Sequence, residues 1–268
     1  MTRFSKAHAY GNDFLYVRKA DVEGAALDVL ARQMCDRHGG VGADGLIVYE
    51  AAGDGVSMRL FNADGSRAEV SGNGVRALAA LVLRDDARPH AELTILTDAG
   101  AKRVARTGRD QARQTFRTAM GTPSGIRQAS IPVAGESIQA VILSIGNPQC
   151  VVLGALPDAA RFERLGGTLE RHPLFPEGTN VEFAHVETPR RVRILIWERG
   201  VGPTTSSGTG SCAALVAARS FGAAEEEADV VAPGGTQRVE WKADSVYLTG
   251  WADVICDGEW IRQIPRTS

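Results

Sequence analysis

Two short runs of the chain carry residue types that could bind an anion and move a proton. Residues 71–74 read Ser-Gly-Asn-Gly, and residues 207–210 read Ser-Gly-Thr-Gly. Each run precedes a segment rich in Ala, Leu and Val, so we predict a tight loop that opens a buried helix in both places. The start of a helix presents free backbone N–H groups and a partial positive charge. Both runs are therefore candidate binding sites for a substrate carboxylate.

The two runs belong to a longer internal repeat. Ser207 follows Ser71 by 136 residues, and Gly-Asn at 11–12 returns at 146–147 with an offset of 135. Residues 42–44 and the strand-like run 58–62 return at 178–180 and 194–198, both at 136. A single Gly-Asn or Gly-x-Gly match is common turn chemistry, but four matches in one order indicate two homologous halves. We place these halves at residues 1–114 plus 254–268 and at residues 115–253.

Composition narrows the class of function. The chain has 268 residues, which is long enough for two domains, and 30 Lys+Arg against 32 Asp+Glu give a formal net charge of −2. Such a charge balance lacks the excess of basic residues typical of nucleic-acid-binding proteins, and it favours a small-molecule partner. Residues 1–14 lack a signal-peptide core, and no apolar run approaches the ~20 residues that span a bilayer. We therefore predict a cytoplasmic protein without a membrane partner.

Four cysteines are scattered along the chain, at Cys35, Cys150, Cys212 and Cys256. None has a close cysteine partner or a histidine at ligand spacing, so the sequence predicts neither a metal site nor a disulfide framework. We interpret all four as buried, inert thiols.

The pattern of apolar residues predicts alternating strands and helices. Strand, turn and strand are expected over 4–17 and again over 141–153, with helices over 24–36 and after residue 157. Central apolar helices are expected over 75–83 and 212–221, and a hairpin over 46–61. Residues 91–107, 115–119 and 192–197 alternate like strands, 121–125 are turn-rich, and 225–229 are expected to form a solvated acidic patch. The fold class is therefore α/β with mixed sheets.

Seven short motifs follow one another along the chain. They are residues 11–14 (Gly-Asn-Asp-Phe), 62–66 (Asn-Ala-Asp-Gly-Ser), 72–76 (Gly-Asn-Gly-Val-Arg), 146–148 (Gly-Asn-Pro), 178–181 (Gly-Thr-Asn-Val), 198–202 (Glu-Arg-Gly-Val-Gly) and 208–210 (Gly-Thr-Gly). In these motifs and their order the chain resembles the diaminopimelate epimerase family over essentially its whole length. The resemblance implies two pseudo-symmetric α/β halves, each a sheet wrapped around a central apolar helix, with the active site in the cleft between them.

The resemblance also implies a reaction. The family epimerises LL- to meso-diaminopimelate for lysine biosynthesis without pyridoxal phosphate or any other cofactor, using two cysteines as base and acid. It implies a small-molecule amino-acid substrate and a homodimer as the expected assembly. The substrate-binding residues it implies are Asn12, Asn62, Gly72, Asn73, Asn147, Asn180, Glu198, Arg199, Gly208 and Thr209.

This chain departs from the family at its catalytic positions. Ser71 and Ser207 stand where the family has its two cysteines, and Gln149 replaces the histidine that supports the first. Glu198, the carboxylate partner of the second cysteine, is kept. The serines are explained either by deliberate cysteine-to-serine exchange or by natural divergence, and the additional change at Gln149 favours divergence.

The chemistry of serine determines what we expect of these four candidate catalytic residues. A hydroxyl is a far weaker acid than a thiol and needs a strong adjacent base to react as an alkoxide. An amide at Gln149 cannot accept a proton, and an ordinary carboxylate at Glu198 is poorly matched to a hydroxyl. We therefore expect two-base epimerisation to be absent or very slow. The open alternatives are a related isomerase that uses other acid–base groups, with Glu198 first among them, and a non-catalytic amino-acid-binding homologue.

Overall fold

The structure is a computed structural model that describes residues 1–133, 135–243 and 245–266. It divides into two compact units, one formed by Met1–Thr118 with Gly250–Ser268 and the other by Ala119–Thr249. The first unit extends four residues beyond the expected limit of 114 and begins four residues before the expected 254. A strand runs through each boundary, at Arg113–Gly121 and at Val246–Trp260, so the division falls inside a continuous element.

The first unit contains seven complete strands, parts of two more and two α-helices, counted over the described residues. In chain order these are β1 (Thr2–Ala9), β2 (Asn12–Arg18), a 3₁₀ turn (Lys19–Val22), α1 (Leu27–Cys35), β3 (Gly45–Ala52), β4 (Gly55–Asn62), β5 (Arg67–Ala68), α2 (Gly72–Val82), β6 (Glu92–Thr97), β7 (Gly100–Asp110), most of β8 (Arg113–Gly121) and, from the end of the chain, the second part of β17 (Val246–Trp260).

The second unit continues the series with the other elements. They are β9 (Ser124–Val133), β10 (Glu136–Ser144), β11 (Pro148–Leu153), α3 (Ala159–Glu170), β12 (Asn180–Thr188), β13 (Arg191–Glu198), β14 (Gly202–Thr204), α4 (Gly208–Phe221), β15 (Glu227–Ala232), β16 (Gly235–Trp241) and the first part of β17.

Strand pairing repeats between the units and confirms the predicted pseudo-symmetric α/β class. In the first unit the pairs β17–β1 and β1–β2 are antiparallel, β2–β3 parallel, β3–β4 antiparallel, β4–β6 parallel, and β6–β7 and β7–β8 antiparallel. The second unit follows the same pattern from β9 through β13 to β15, β16 and β17. Each unit therefore builds the same mixed sheet from its own half of the sequence.

A central helix is buried against one face of each sheet. Every residue of α2 from Asn73 to Leu81 is buried, and so is every residue of α4 from Gly210 to Ala218. Such a helix turns no face to water, which is why both segments are apolar on nearly all sides; Asn73 and Arg76 are the buried polar exceptions in α2. The predicted central helices are confirmed, and each begins a few residues earlier than the apolar run alone suggested.

A second helix in each unit covers the opposite face of the sheet. Leu30 and Met34 of α1 pack with Leu15 and Leu46, whose neighbours in β2 and β3 face α2. Leu165 and Leu169 of α3 form the equivalent cluster with β11 and β12. Since both faces are covered, the parallel pairs at the centre of each sheet are fully buried.

Several expectations need correction. Residues 225–229 were expected to be a solvated patch, yet Glu227 begins β15 and pairs with Arg238 at 2.7 Å. Cross-strand charge pairing thus lets an acidic segment form a strand. Cys256 was expected to be buried, but it is exposed, unlike Cys35, Cys150 and Cys212. It lies in β17, where the burial pattern turns toward solvent. Among the described residues, no helix is long and apolar enough to cross a membrane.

The contact between α3 and β13 generates a stability prediction. A Cβ built on Gly166 would lie 2.6 Å from the Trp197 ring, so the helix approaches the sheet this closely only because residue 166 has no side chain. We expect Gly166→Ala to lower the free energy of unfolding by about 1–3 kcal/mol through overpacking. Urea unfolding measures the loss. Thr168→Ala, at an exposed position of the same helix, is the control, and equal stability of the two variants would contradict the packing argument.

Candidate active site

Both helix starts are built in the same way. The Ser71 hydroxyl accepts a hydrogen bond of 3.1 Å from the Gly74 N–H, and the Ser207 hydroxyl accepts one of 3.1 Å from the Gly210 N–H. Both serines have extended backbone conformations and are the N-caps of α2 and α4. The glycines belong to the first helical turn, not to a loop before it as expected. The candidate catalytic oxygens therefore lie directly at helix starts.

The cap geometry bears on the acidity of the two hydroxyls. A backbone N–H donated to Oγ, together with the positive end of the helix, favours the anionic form of the side chain. The same arrangement at a cysteine would yield a reactive thiolate, because a thiol starts from a much lower pKa. The geometry acts in the right direction on Ser71 and Ser207 but starts from a far weaker acid.

Asparagine side chains link the helix start to the first turn in the first unit. Asn73 donates to Asn12 Oδ1 at 3.3 Å, and Asn12 donates to Asp44 Oδ2 at 2.7 Å. The buried Arg76 donates to Asn73 Oδ1. Thus the structure brings Asn12 and Asn73 together, as the predicted substrate site requires. Asp44 and Arg76 hold these two asparagines in place, and sequence reasoning assigned neither of them to the site.

The corresponding link in the second unit uses a threonine. Asn147 donates to Thr209 Oγ1 at 3.4 Å, which repeats the contact between Asn12 and Asn73. The fully buried Gln149 donates to Asn147 Oδ1 at 2.8 Å. The structure therefore joins Gln149, Asn147 and Thr209 into one hydrogen-bonded series next to Gly208 and Ser207.

The turn at residues 198–202 is fixed by two buried polar side chains. Asn180 accepts from the Arg199 N–H at 3.0 Å and donates to the Pro148 carbonyl at 3.1 Å. Glu170, at the end of α3, accepts from the Gly200 N–H at 2.8 Å and from Trp197 Nε1 at 2.8 Å. Arg199 is exposed, which suits a guanidinium that grips a ligand carboxylate. Asn180 thus acts on the shape of the turn as well as being a candidate ligand contact.

Asn62 lies apart from these hydrogen-bonded groups. It is exposed, and its amide donates to Ser66 Oγ at 3.0 Å inside the turn that follows β4. Its predicted contact with substrate stays a prediction, as does the predicted pairing of Gln149 with Ser71.

The residue most clearly missed from the sequence is Glu182. It lies near the start of β12 and is completely buried, and a Cβ on Gly210 would come within 2.6 Å of its Oε1. Burial, followed by the nearby Glu198 carboxylate, raises the pKa of Glu182 well above its ordinary value of 4.5. A signal was available, because the repeat offset of 136 aligns Glu182 with an apolar residue, Leu46. The strand registers, which pair Phe14 with Gly45 and Gln149 with Asn180, shift the equivalence by one residue to Ile47.

Two of the buried cysteines contribute no reactive thiol to this region. Burial, followed by the Glu182 carboxyl, raises the pKa of Cys150, and burial raises the pKa of Cys35 to about 12. Both thiols therefore stay protonated at neutral pH. Hydroxyl and carboxyl groups are the candidates for acid–base chemistry at the helix starts.

Solved structures share the fold of this chain. A structure described as a probable proline racemase from Agrobacterium radiobacter matches with a TM-score of 0.73, over 98% of this chain and 94% of that chain, at 16% identity. A hydroxyproline epimerase from Agrobacterium vitis matches with a TM-score of 0.67, over 96% and 90%, also at 16% identity. At such identities the likeness concerns the fold alone.

Sequence comparison specifies the family. The profile of the diaminopimelate epimerase family matches residues 4–126 and 141–255. A diaminopimelate epimerase from Desulforudis audaxviator is 41% identical over 97% of this chain and 99% of its own length. One from Xanthomonas axonopodis pv. citri is 36% identical over 97% and 96%. The chain belongs to the diaminopimelate epimerase family, which is a family of isomerase-type enzymes.

The raised pKa of Glu182 predicts how stability depends on pH. Because the folded state holds a proton that the unfolded chain releases above about pH 4.5, the free energy of unfolding should fall as pH rises from there toward the raised value. The free energy of unfolding should fall by at most about 1.4 kcal/mol per pH unit. In Glu182→Gln this contribution should be lost, and urea unfolding between about pH 5 and pH 8 measures the difference.

Glu187→Gln is the matched control on the same strand. Arg193 and Arg191 lower the pKa of this exposed carboxyl, so its contribution is lost only as pH falls below the ordinary value. Above that value the control should follow the wild-type slope. Parallel curves for Glu182→Gln and wild type would contradict a buried, protonated Glu182.

Proposed function

We propose that this chain is a cofactor-independent amino-acid isomerase of the diaminopimelate epimerase type, which binds a diaminopimelate-like substrate and inverts its α-carbon slowly. The observation that carries the proposal is the identical N-cap geometry of Ser71 and Ser207, at 3.1 Å in each half. It puts one proton-bearing oxygen beside each helix start, where the family has its two thiols.

The binding step is supported by the polar groups around those helix starts. The first N–H groups of α4 have no partner within the helix and favour an anion, and Thr209 adds a hydroxyl beside them. Asn147 is hydrogen-bonded to Thr209. Asn180 is hydrogen-bonded to the backbone N–H of Arg199. These groups suit the carboxylate and amino groups of an amino acid. Stabilising the charge that develops on the substrate carboxylate when the α-proton leaves is the main demand of the reaction.

The proton-transfer step is limited by the two hydroxyls. Epimerisation requires one group to remove the α-proton while another delivers a proton to the opposite face. Because an alkoxide is scarce at neutral pH, most Ser71 and Ser207 side chains are in the acid form and few are in the base form. The N-cap hydrogen bonds reduce this difference without removing it. Slow turnover follows from the chemistry of the oxygen atoms and does not require a defect in binding.

Solvent exchange measures this proposal directly. We expect diaminopimelate to take up deuterium at its α-carbon in D₂O at least about 10²-fold more slowly with the wild-type chain than with Ser71→Cys/Gln149→His/Ser207→Cys, which restores both thiols and the histidine. Proton NMR of the α-position measures exchange for both proteins. Ser71→Cys alone is the control: its conversion of LL- to meso-diaminopimelate should stay slow, because one thiol can exchange the α-proton on its own face but cannot serve both faces.

The outcomes separate the possible functions. Fast exchange with the wild-type chain would show that the hydroxyls, or other groups, suffice. If the triple variant binds diaminopimelate but does not exchange its α-proton, the proposed reaction is contradicted and amino-acid binding is still supported. Failure of both proteins to bind the substrate would remove the proposed substrate class.

A related isomerase that uses a carboxyl group as acid or base is the second candidate. It is favoured by two carboxyl groups on one face of the second sheet. Glu182 pairs in register with Ile196, and Glu198 lies two residues further along β13, so both side chains point to the side that carries α4. Glu198→Gln should abolish the reaction if its carboxyl transfers the proton. A cytoplasmic location and a homodimer also stay predictions for this chain.

A further inference from the structure

The two halves differ in what lies beneath their helix starts. In the first unit, a Cβ on Gly74 would meet Ile47 Cδ1 at 2.9 Å and Phe14 Cε2 at 3.6 Å. Their counterparts, 135 residues later, are Glu182 and Gln149, and a Cβ on Gly210 would meet Glu182 Oε1 at 2.6 Å. The first unit shows that this fold forms with an apolar layer at this place. A buried glutamate in the second unit is therefore not required by the architecture.

Glu182 and Gln149 are in direct polar contact. The position of Gln149 Oε1 lies 2.9 Å and 3.2 Å from the two Glu182 oxygens, while Gln149 Nε2 donates to Asn147 Oδ1. Two acceptor oxygens at 2.9 Å repel each other unless a proton lies between them. Either Glu182 is protonated and donates to Gln149, or the Gln149 amide is rotated and donates to an ionised Glu182.

Each state of Glu182 directs the hydroxyl of Thr209 differently. With a proton on Glu182, donors run outward from Glu182 to Gln149, from Gln149 to Asn147 at 2.8 Å, and from Asn147 to Thr209 at 3.4 Å. Thr209 is then an acceptor within this series, and its own proton is available to a ligand. With Glu182 ionised, Gln149 turns and its oxygen accepts from Thr209 at 3.3 Å; the same oxygen then lies 2.8 Å from Asn147 Oδ1, so the Asn147 amide turns with it. The Thr209 proton is then used inside the protein.

Charge acts in the same direction as hydrogen bonding. A Cβ built on Gly210 would lie 2.6 Å from Glu182 Oε1 and 3.2 Å from Ser207 Cβ. The carboxyl therefore lies directly below the start of α4. An ionised carboxylate there would cancel the positive potential of the helix start and repel a bound anion. A protonated Glu182 leaves that potential to the substrate.

We propose that Glu182 is a positioning residue that holds a proton beneath the start of α4 and, through Gln149 and Asn147, directs the Thr209 hydroxyl toward the substrate carboxylate. The carboxylate ligand rests on the function proposed above, whereas the proton and the orientation of Gln149 are properties of the unliganded protein. Binding of a carboxylate above the pKa of Glu182 then takes up one proton from solvent.

The titration of Glu182 has to be distinguished from that of the other ionisable groups around it. Glu198 faces it from β13 and raises its pKa, and Cys150 is the buried thiol on β11 whose pKa Glu182 raises. The first turn of α4 presents the hydroxyl groups of Ser207 and Thr209 and carries no charged side chain. Since Glu198 and Cys150 are unchanged in Glu182→Gln, the difference between this variant and wild type reports on Glu182.

The first experiment uses the unliganded protein. Carbon-13 NMR of labelled glutamate side chains should show a carboxyl that stays protonated at neutral pH, is missing from Glu182→Gln and is still present in Glu187→Gln. The side-chain amide signals of Gln149 should shift at the same pH as that carboxyl. A Glu182 ionised at neutral pH, or Gln149 signals that do not follow its titration, would overturn the proposal whether or not diaminopimelate binds.

The second experiment measures binding of diaminopimelate by calorimetry in two buffers of different ionisation enthalpy. Above the pKa of Glu182 we expect wild type to take up one proton and lose about tenfold in affinity per pH unit. Glu182→Gln, which is neutral and can still donate to Gln149, should bind without that uptake. Thr209→Val should bind more weakly and depend less on pH than wild type, because only the charge repulsion from Glu182 is left in it. Equal proton uptake by wild type and Glu182→Gln would overturn the link to Thr209.

The two experiments distinguish failure of the proposed function from failure of the proposed role of Glu182. If diaminopimelate binds none of these proteins at any pH, the proposed function fails, and the NMR titration still decides whether Glu182 holds a proton coupled to Gln149. If diaminopimelate binds and the titration shows an ionised Glu182, the proposed function stands and the positioning role of Glu182 is excluded.

Discussion

The burial of a helix start is the constraint on which the rest of each half depends. The first N–H groups of a helix have no partner within it, and leaving them unpaired inside a protein is costly. Here α2 and α4 are buried along almost their whole length, so their starts need polar partners. Ser71 and Ser207 supply one hydrogen bond each, and the glycines that follow leave space for another partner. A ligand carboxylate meets the same need that creates the site.

The remaining elements are arranged around that need. The sheet in each half supplies the apolar surface that buries the central helix, and a second helix covers the other face. The strand–turn–strand units β1–β2 and β10–β11 bring Asn12 and Asn147 to the helix starts. In the second half, Asn180 and Glu170 then hold the turn that carries Arg199. Packing and chemistry are thus coupled, because the residues that fix the turns also surround the proposed anion site.

Pseudo-symmetry makes the differences between the halves informative. The same topology accepts Phe14 and Ile47 under one helix start and Gln149 and Glu182 under the other. A buried carboxyl costs free energy unless it is protonated or well paired, so its presence calls for a compensating role. The resemblance implies that hydroxyls stand in place of the family's thiols, which would make any additional ionisable group near the site more important. Glu182 is such a group, placed where an apolar residue would serve the fold equally well.

Much of this protein followed from sequence patterns, because they reflect local rules. Helix starts at Ser71 and Ser207, the two apolar central helices and the division into two similar halves rest on capping, periodicity and repetition, which act over a few residues or are copied along the chain. The resemblance to a family, confirmed by the comparisons, followed from motif order. The boundaries between the units, the strand at 227–232 and the exposure of Cys256 depended on pairing between distant strands, which no local pattern records. Glu182 shows the difference most clearly: in sequence it is one charged residue in a strand, and only the packing of β11, β12 and α4 removes it from water and places it against Gln149, since burial and contact are properties of the assembled sheet and helix.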